Sequence, residues 1–237
     1  MTGRVALVTG AGRRVGRSIA LALGARHMQV VVHYNGSADG ALQTVRDIEA
    51  AGGKARAVQA DLSSVADCER LIDGLETLDV LVNSAAMMLR TPVGAVTESD
   101  WDAMFALNVR APFFLSQRAS PALRASKGCI VNIADMAAFE TWTGYVPHGM
   151  TKAAVVQMTR ALAHALAPDI RVNAIAPGVV LLPESFEAKD AEHLRLTTPL
   201  RRFGSPDDVA QAVLYLVDAG FVTGEVIRVD GGRHVRR

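Results

Sequence analysis

The sequence predicts an α/β fold, a doubly wound parallel sheet with helices on both faces, formed by one domain over residues 1–237. Short β-branched runs alternate with Ala- and Leu-rich helical patterns along the chain. The β-branched runs lack polar alternation, which is typical of strands buried on both faces. Half of the residues (50%) are hydrophobic and no linker-like segment divides the chain. We therefore expect a single core.

Seven strands are expected, each a short apolar run bounded by turn residues or by a helical pattern. They cover residues 5–9, 29–33, 55–59, 78–82, 129–133, 170–175 and 226–229. Right-handed crossovers through the intervening helices make such strands parallel, so their carboxyl ends meet at one edge. Ligands bind at that edge in folds of this class.

Helices are predicted over residues 15–26, 41–51, 64–75, 99–124, 150–166 and 206–217. Ser64 and Ser205 suit N-cap positions. Pro112 is expected to kink the long fourth helix or to lie at a packing step, and Pro168 to follow the end of the fifth. Residues 182–199 are charged and irregular, which favours a mobile lid over the substrate.

Charge and composition exclude several functional classes. Lys plus Arg number 25 and Asp plus Glu 24, so no basic footprint indicates nucleic acid or an anionic membrane surface. The absence of an 18-residue apolar run predicts no membrane span. Cys68 and Cys129 cannot form a disulfide framework, and we interpret them as small buried residues of a cytoplasmic protein. The six histidines show no metal-ligand spacing, so no metal is expected.

A glycine-rich turn joins the first strand to the first helix. It contains Gly10, Arg13, Arg14, Val15 and Gly16. In this position backbone N–H groups and a helix N-terminus point at a pyrophosphate, as in Rossmann-type folds. Gly10 permits the tight turn and Gly16 permits close packing of helix on strand. The alternative is an ordinary βα turn that contains glycine.

The end of the second strand bears on which dinucleotide binds. NAD-binding chains usually place Asp or Glu there, to hold the ribose hydroxyls. Here the strand ends with His33, Asn35 and Ser37 and no carboxylate, while Arg13 and Arg14 lie in the first turn. Cationic donors suit a 2′-phosphate, so NADP(H) is the predicted cofactor. The alternative is that the arginines are a solvated pair and His33 is a strand-end side chain.

Motifs spread over nearly the whole chain resemble the short-chain dehydrogenase/reductase family. They are the turn at residues 9–16, Ala60-Asp61-Leu62, residues 81–85, Asn108, Pro177-Gly178, residues 202–206, Thr223-Gly224 and residues 229–232. Within the family the chain looks most similar to pteridine and dihydromonapterin reductases. That similarity rests on Arg14, His33-Tyr34, Ser37, Asp135, residues 221–224 and residues 230–234.

The resemblance implies roles for further cofactor-binding residues. Asp61, followed by Leu62, would lie at the adenine, and Asn83 with Ala85 would line the ribose and nicotinamide side. Asp61 as a helix cap and Asn83 as a turn residue stay open. Lys152 would bond the nicotinamide ribose, and Pro177 and Gly178 would contact the carboxamide through their backbone.

The family also implies a homo-oligomer, a tetramer or a dimer. The tail at residues 231–237 would reach towards a neighbouring subunit.

The catalytic position departs from the family pattern. The family carries Tyr-x-x-x-Lys, whereas this chain has His148 and Lys152 at that spacing. One hypothesis makes His148 the proton donor, oriented by Asp135 and tuned by Lys152, with Asn108 holding a relay water. The alternative is a non-catalytic NADP(H)-binding or sensor protein. Tyr145 is not expected to replace the missing tyrosine, because Pro147 argues against a continuous helix to Lys152.

The expected substrate is a small molecule with a C=N or C=O bond. Pterin reductases stack an aromatic residue on the pterin, but the matching position here is Met88. Trp142, Tyr145 or Phe186 would have to supply the ring. A general ketone or 3-oxoacyl reductase is the alternative, for which Asp135 in place of serine is unusual.

Overall fold

Seven parallel strands form one sheet in the computed structural model, which describes residues 3–182 and 188–235. The strands are β1 (Val5–Val8), β2 (Gln29–Tyr34), β3 (Lys54–Gln59), β4 (Val80–Asn83), β5 (Cys129–Ile133), β6 (Arg171–Pro177) and β7 (Val226–Val229). Their order is β3-β2-β1-β4-β5-β6-β7. The predicted doubly wound sheet is therefore confirmed.

The strand order reverses between β1 and β4. β1 pairs with β2 on one side, Val8 opposite Val32, and with β4 on the other, Val8 opposite Val82. The connections leaving β1 and β4 therefore separate to opposite halves of the sheet. A crevice opens at such a switch point, outside the carboxyl ends of the strands.

Helices cover both faces of the sheet. They are α1 (Arg14–Ala25), α2 (Ala38–Ala50), α3 (Val65–Asp73), α4 (Glu98–Phe105), α5 (Ala111–Ser126), α6 (Val146–Ala165), α7 (Ala188–Thr197) and α8 (Pro206–Asp218). Alternate strand residues point to opposite faces. Ala6 and Val8 pack in the core under α1, α2 and α8, whereas Leu7 packs in the core under α3, α5 and α6.

Serine caps appear where the sequence predicts them. The Ser64 hydroxyl accepts a hydrogen bond from the Asp67 amide at the start of α3. Ser205 and Asp208 form a reciprocal capping box at the start of α8. These caps satisfy backbone donors that the first helical turn leaves free.

Prolines begin helices in this fold. The predicted helix at 150–166 begins earlier, at Val146, because Pro147 lies in the first turn, where a missing N–H costs nothing. The expectation that Pro147 prevents a continuous helix was wrong. The predicted long helix 99–124 is split by a π turn at Ala106–Arg110, and Pro112 lies in the first turn of α5.

The segment expected to be an irregular lid is partly helical. α7 occupies Ala188–Thr197 within the predicted range 182–199. Residues 183–187 lie outside the described residues, and closure over the substrate stays a prediction. Among the helices of residues 3–182 and 188–235, none combines the length and the apolar character needed to span a bilayer.

Candidate active site

One cleft of about 980 Å³ lies at the carboxyl ends of the central strands and holds most of the predicted site residues. Those residues are Gly10, Arg13, Arg14, Val15, Gly16, His33, Asn35, Ser37, Leu62, Ala85, Met88, Asp135, Trp142, Tyr145, His148, Lys152, Pro177 and Gly178. The glycine-rich turn at residues 9–16, called the phosphate turn for its predicted role, forms one end of the cleft. The predicted proton-transfer group lies towards the other.

The phosphate turn leaves no room for side chains at its two key glycines. A Cβ on Gly10, whose φ is +66°, would stand 2.9 Å from Cα of Ala85. A Cβ on Gly16 would stand 2.4 Å from the carbonyl oxygen of Gly10. Arg14 adopts a left-handed φ of +53°, which favours glycine, so its backbone is strained at this turn.

The N-terminus of α1 is left open for an anion. The N-cap residue Arg13 makes no side-chain capping hydrogen bond, and the first turn contains no acidic residue. The first N–H groups of a helix have no partner within it and carry a partial positive charge. Together with the exposed Arg13 and Arg14 side chains, this end of the cleft suits a phosphorylated ligand.

His33 supports the phosphate turn through a hydrogen bond to its backbone. Its Nδ1 accepts a hydrogen bond from the Gly10 amide (3.1 Å), and its Nε2 lies 3.1 Å from the carbonyl oxygen of Ala60. Burial lowers the pKa of the ring, although the bond to Ala60 opposes that shift. A neutral ring with both nitrogens in use cannot be a cationic donor to a phosphate. The two arginines of the turn supply that charge instead.

Three of the predicted residues lie outside the cleft lining. Asp61 is exposed, and its carboxylate accepts the Ser63 amide (3.0 Å), which is a turn role. Asn83 is buried behind the cleft, and its amide donates to Asn132 (2.8 Å). Asn108 is buried in the π turn.

Sequence reasoning missed Thr9 as a positioning residue. Its hydroxyl accepts hydrogen bonds from the amides of Ser84 (2.9 Å) and Ala85 (3.0 Å), which ties the end of β1 to the end of β4. The available signal was a hydroxyl that directly follows an apolar strand. Arg90 and Arg233, which also line the cleft, were not predicted either.

The structure brings His148 and Asp135 together. His148 lies in the first turn of α6, with 2% of the residue exposed. Its Nδ1 lies 3.3 Å from the carbonyl oxygen of Met87, and its Nε2 lies 3.8 Å from Oδ2 of Asp135. Nε2 has no hydrogen-bond partner among the described residues. Because Nδ1 faces a carbonyl, it donates, and Nε2 is left as the nitrogen that can exchange a proton.

Asn108 fixes the loop that holds His148. Its side-chain amide donates to the Met87 carbonyl (2.9 Å) and to the Thr151 hydroxyl (3.1 Å), and its Oδ1 accepts the Met87 amide (2.9 Å). The carbonyl oxygen of Met87 therefore accepts hydrogen bonds from both the Asn108 amide and His148 Nδ1. A relay water held by Asn108 stays a prediction.

Lys152 lies one turn beyond His148 and is buried. Its ammonium donates to the carbonyl oxygen of Ile133 (2.9 Å). Burial lowers the pKa of Lys152, and the nearby Asp135 carboxylate opposes that shift. The predicted i, i+4 pair therefore shares one face of α6.

The far end of the cleft combines apolar and aromatic side chains. Trp142 and Tyr145 meet edge to face, with ring centroids 6.3 Å apart, and Met88 lines the same cleft. Phe186, the third predicted ring donor, lies outside the described residues. Within residues 3–182 and 188–235, no three His, Cys, Asp or Glu side chains are grouped as metal ligands.

The family described as enoyl-(acyl carrier protein) reductase matches residues 10–234 of the chain. The chain belongs to the short-chain dehydrogenase/reductase family. The fold and the nicotinamide cofactor class predicted for this family are thereby confirmed, and the residues of the cofactor site stay a prediction.

Named members of the family cover almost the same length as this chain. A putative ketoacyl reductase 2 of the granaticin polyketide synthase from Streptomyces violaceoruber is 39% identical, over 98% of this chain and 96% of that protein. A 3-oxoacyl-[acyl-carrier-protein] reductase from Synechocystis is 36% identical, over 98% and 97%. The crystal structure of the angucycline C-6 ketoreductase LanV with bound NADP has a TM-score of 0.93 and 34% identity, over 99% and 96%.

These short-chain dehydrogenases/reductases do not support a pteridine reductase as the nearest relative. The three named proteins are ketoreductases or 3-oxoacyl reductases. They favour the alternative, a general ketone or 3-oxoacyl reductase, over the main prediction. NADP in LanV agrees with the predicted cofactor.

Proposed function

We propose that the protein is an NADPH-dependent ketoreductase that delivers hydride to the C=O bond of a small-molecule ketone. One observation carries the proposal. The same cleft joins an anion-binding turn, at Arg13 and Arg14, to a buried His148 whose Nε2 is free. The named relatives support a ketone over a pterin as substrate.

The residues at the turn fit a phosphorylated dinucleotide. Gly10 and Gly16 keep the backbone accessible, and the uncapped start of α1 offers free N–H groups to a pyrophosphate. Arg13 and Arg14 would hold the 2′-phosphate, since no carboxylate ends β2. Lys152, Pro177 and Gly178 would hold the nicotinamide end. When bound, NADPH supplies the hydride.

His148 delivers the proton to the carbonyl oxygen as the hydride arrives. Its Nδ1–H donates to Met87, so the Nε2–H of the imidazolium form, on the side of the ring that faces Asp135, is the proton available for transfer. The Asp135 carboxylate, 3.8 Å from Nε2, stabilises that charged form. Lys152 acts against it as a second cation on the same helix face. Proton delivery to the substrate therefore requires the imidazolium form of His148.

A non-catalytic NADP(H)-binding protein is the second candidate. The observation that favours it is the histidine itself, at the position where the family carries tyrosine. Both candidates require NADPH binding, and turnover separates them.

The experiment is NADPH consumption by the purified protein between acid and neutral pH. The panel contains polycyclic aromatic ketones, 3-oxoacyl thioesters, small ketones and dihydropterins. Turnover of ketones that slows as the pH rises supports the proposal. NADPH binding without turnover of any compound contradicts it in favour of the second candidate, and turnover of dihydropterins alone restores the pterin hypothesis. Absence of NADPH binding overturns both candidates.

We also propose a homo-oligomer, a dimer or tetramer, in the cytoplasm. Light scattering on the full chain, with and without NADPH, tests the assembly. A monomer under both conditions contradicts it.

A further inference from the structure

Arg233 is a buried cation that proton transfer and cofactor binding do not use. It follows β7 in a short helical turn, Arg233–Val235, and 9% of its side chain is exposed. It lines the main cleft and also a second cavity of about 630 Å³. Trp142 lines both spaces as well. Arg233 and Trp142 therefore stand at the boundary between the two cavities.

The guanidinium is anchored on one side only. Its Nε donates to both carboxylate oxygens of Glu140 (3.0 and 3.1 Å). Trp142 Nε1 donates to the same carboxylate (2.9 Å). The backbone on either side of Arg233 is also held, because the Asp230 carboxylate accepts the amides of Gly232 (2.9 Å) and His234 (2.7 Å). These contacts hold the side chain in place before any ligand arrives.

The Nη end of the guanidinium is available to a ligand. Nη1 is buried and has no hydrogen-bond partner among the described residues. Nη2 makes no hydrogen bond within that part of the chain either. Of the five N–H donors of an arginine, the two on Nη1 are therefore buried and unused. Buried donors without partners are costly, and their retention beside a cleft indicates a ligand.

The charges at the far end favour a negative group on that ligand. Arg90, Lys152 and Arg233 are cations there, and Asp135 is the one carboxylate among the described residues that line the main cleft. Glu140, in the second cavity, pairs with Arg233. The cations still outnumber the carboxylates, so a carboxylate on the ligand is stabilised there. A planar guanidinium fork also matches the two oxygens of a carboxylate.

We infer that Arg233 binds a carboxylate of the ketone substrate, whose apolar body lies against Trp142 and Met88. This inference rests on the proposed ketoreductase function. It makes the substrate class an aromatic or polycyclic keto acid. Arg233 acts on substrate binding, so its removal raises KM more than it lowers kcat.

The experiment compares an aromatic keto acid with its neutral methyl amide, which has the same reacting carbonyl. Wild type is expected to prefer the acid in kcat/KM by about tenfold or more. Arg233→Gln combined with Glu140→Gln, which removes both members of the ion pair, should abolish that preference by lowering kcat/KM for the acid to the level of the amide. Arg233→Lys should keep part of it, since the charge remains without the fork.

Arg228→Gln is the matched control. Of the two cavities described, Arg228 lines the second and not the main cleft, and its guanidinium lies 4.4 Å from the Phe139 ring centroid. It should keep the preference of the wild type. Equal kcat/KM for acid and amide in wild type overturns the inference and leaves the proposed function intact.

If no ketone is reduced, calorimetry measures carboxylate binding at Arg233 without requiring turnover. NADPH-loaded protein is titrated with an aromatic carboxylate, its amide and the corresponding aryl phosphate. Carboxylate binding that is lost in the double variant supports the inference without turnover. Absence of carboxylate binding, or tighter binding of the phosphate, overturns it.

Discussion

Two buried histidines lie at opposite ends of the cleft, and they differ in how their nitrogens are used. His33 and His148 each have 2% of the residue exposed. Both ring nitrogens of His33 meet backbone groups, the Gly10 amide and the Ala60 carbonyl. For His148 only Nδ1 does so within the described part of the chain, where Nε2 faces Asp135 without a hydrogen bond. A fully partnered ring is structural, and a ring with one free nitrogen in a cleft is available for proton transfer.

The two rings also require opposite protonation states. Burial lowers the pKa of His33 from its usual value near 6.5, so the folded protein keeps that ring neutral. Below about pH 6.5 the unfolded chain binds a proton that the folded chain does not, and stability falls as the pH falls. Reduction through His148, in contrast, requires the imidazolium form. The phosphate turn therefore limits how acidic the working pH can be.

The largest expected effect is the loss of proton delivery. His148→Ala should lower kcat for ketone reduction by about 10²- to 10⁴-fold, because no group remains to protonate the carbonyl oxygen. The pH dependence that the imidazolium supplies should disappear with it. Steady-state rates at acid and at neutral pH measure both.

His148→Tyr is the companion variant, since it restores the side chain usual in the family. Its rate should not fall as the pH rises through neutrality. If His148→Ala reduces ketones as fast as wild type, His148 has no role in proton transfer.

The next largest effect is expected at His33, the histidine with a structural role. His33→Leu leaves the Gly10 amide and the Ala60 carbonyl unpaired, so it should lower the free energy of unfolding by about 2–4 kcal/mol. The loss of stability between about pH 6.5 and 5 should become smaller, because the ring responsible for it is gone. Urea unfolding at several pH values measures both.

For this variant, kcat with saturating NADPH should stay close to wild type if the protein remains folded. A loss of kcat as large as that of His148→Ala would mean that the two rings are not distinct in role.

A smaller effect is expected at the arginines of the phosphate turn. Arg13→Gln and Arg14→Gln should each weaken NADPH binding by about tenfold and leave NADH binding almost unchanged, since each removes a cation from the 2′-phosphate. Fluorescence titration with the two cofactors measures the ratio. Equal losses for NADPH and NADH would contradict a 2′-phosphate site at this turn.

The smallest effect involves neither histidine. Ser205→Ala removes the N-cap of α8 and should cost about 1 kcal/mol of stability. Cofactor affinity and the pH profile should not change, because α8 packs against α1 far from the reacting groups. A change in the pH profile would show that His148 responds to general loss of stability, and the histidine comparison would then fail.

The sequence determined the architecture and the cofactor end by itself. β1, the glycine turn and α1 are contiguous, so local residue types predict the phosphate site, although His33 of β2 supports it in the fold. The seven strands followed from apolar runs, and the capped starts of α3 and α8 followed from Ser64 and Ser205. Spacing along α6 placed His148 and Lys152 on one face.

Only the tertiary structure decided what each buried polar group meets. Whether His33 is a phosphate donor or a support depends on Gly10 and Ala60, which lie on different segments. The free nitrogen of His148 depends on Met87, and the half-anchored Arg233 depends on Glu140, 93 residues away along the chain. Hydrogen bonds act over about 3 Å, and only the folded chain brings such distant residues within that range.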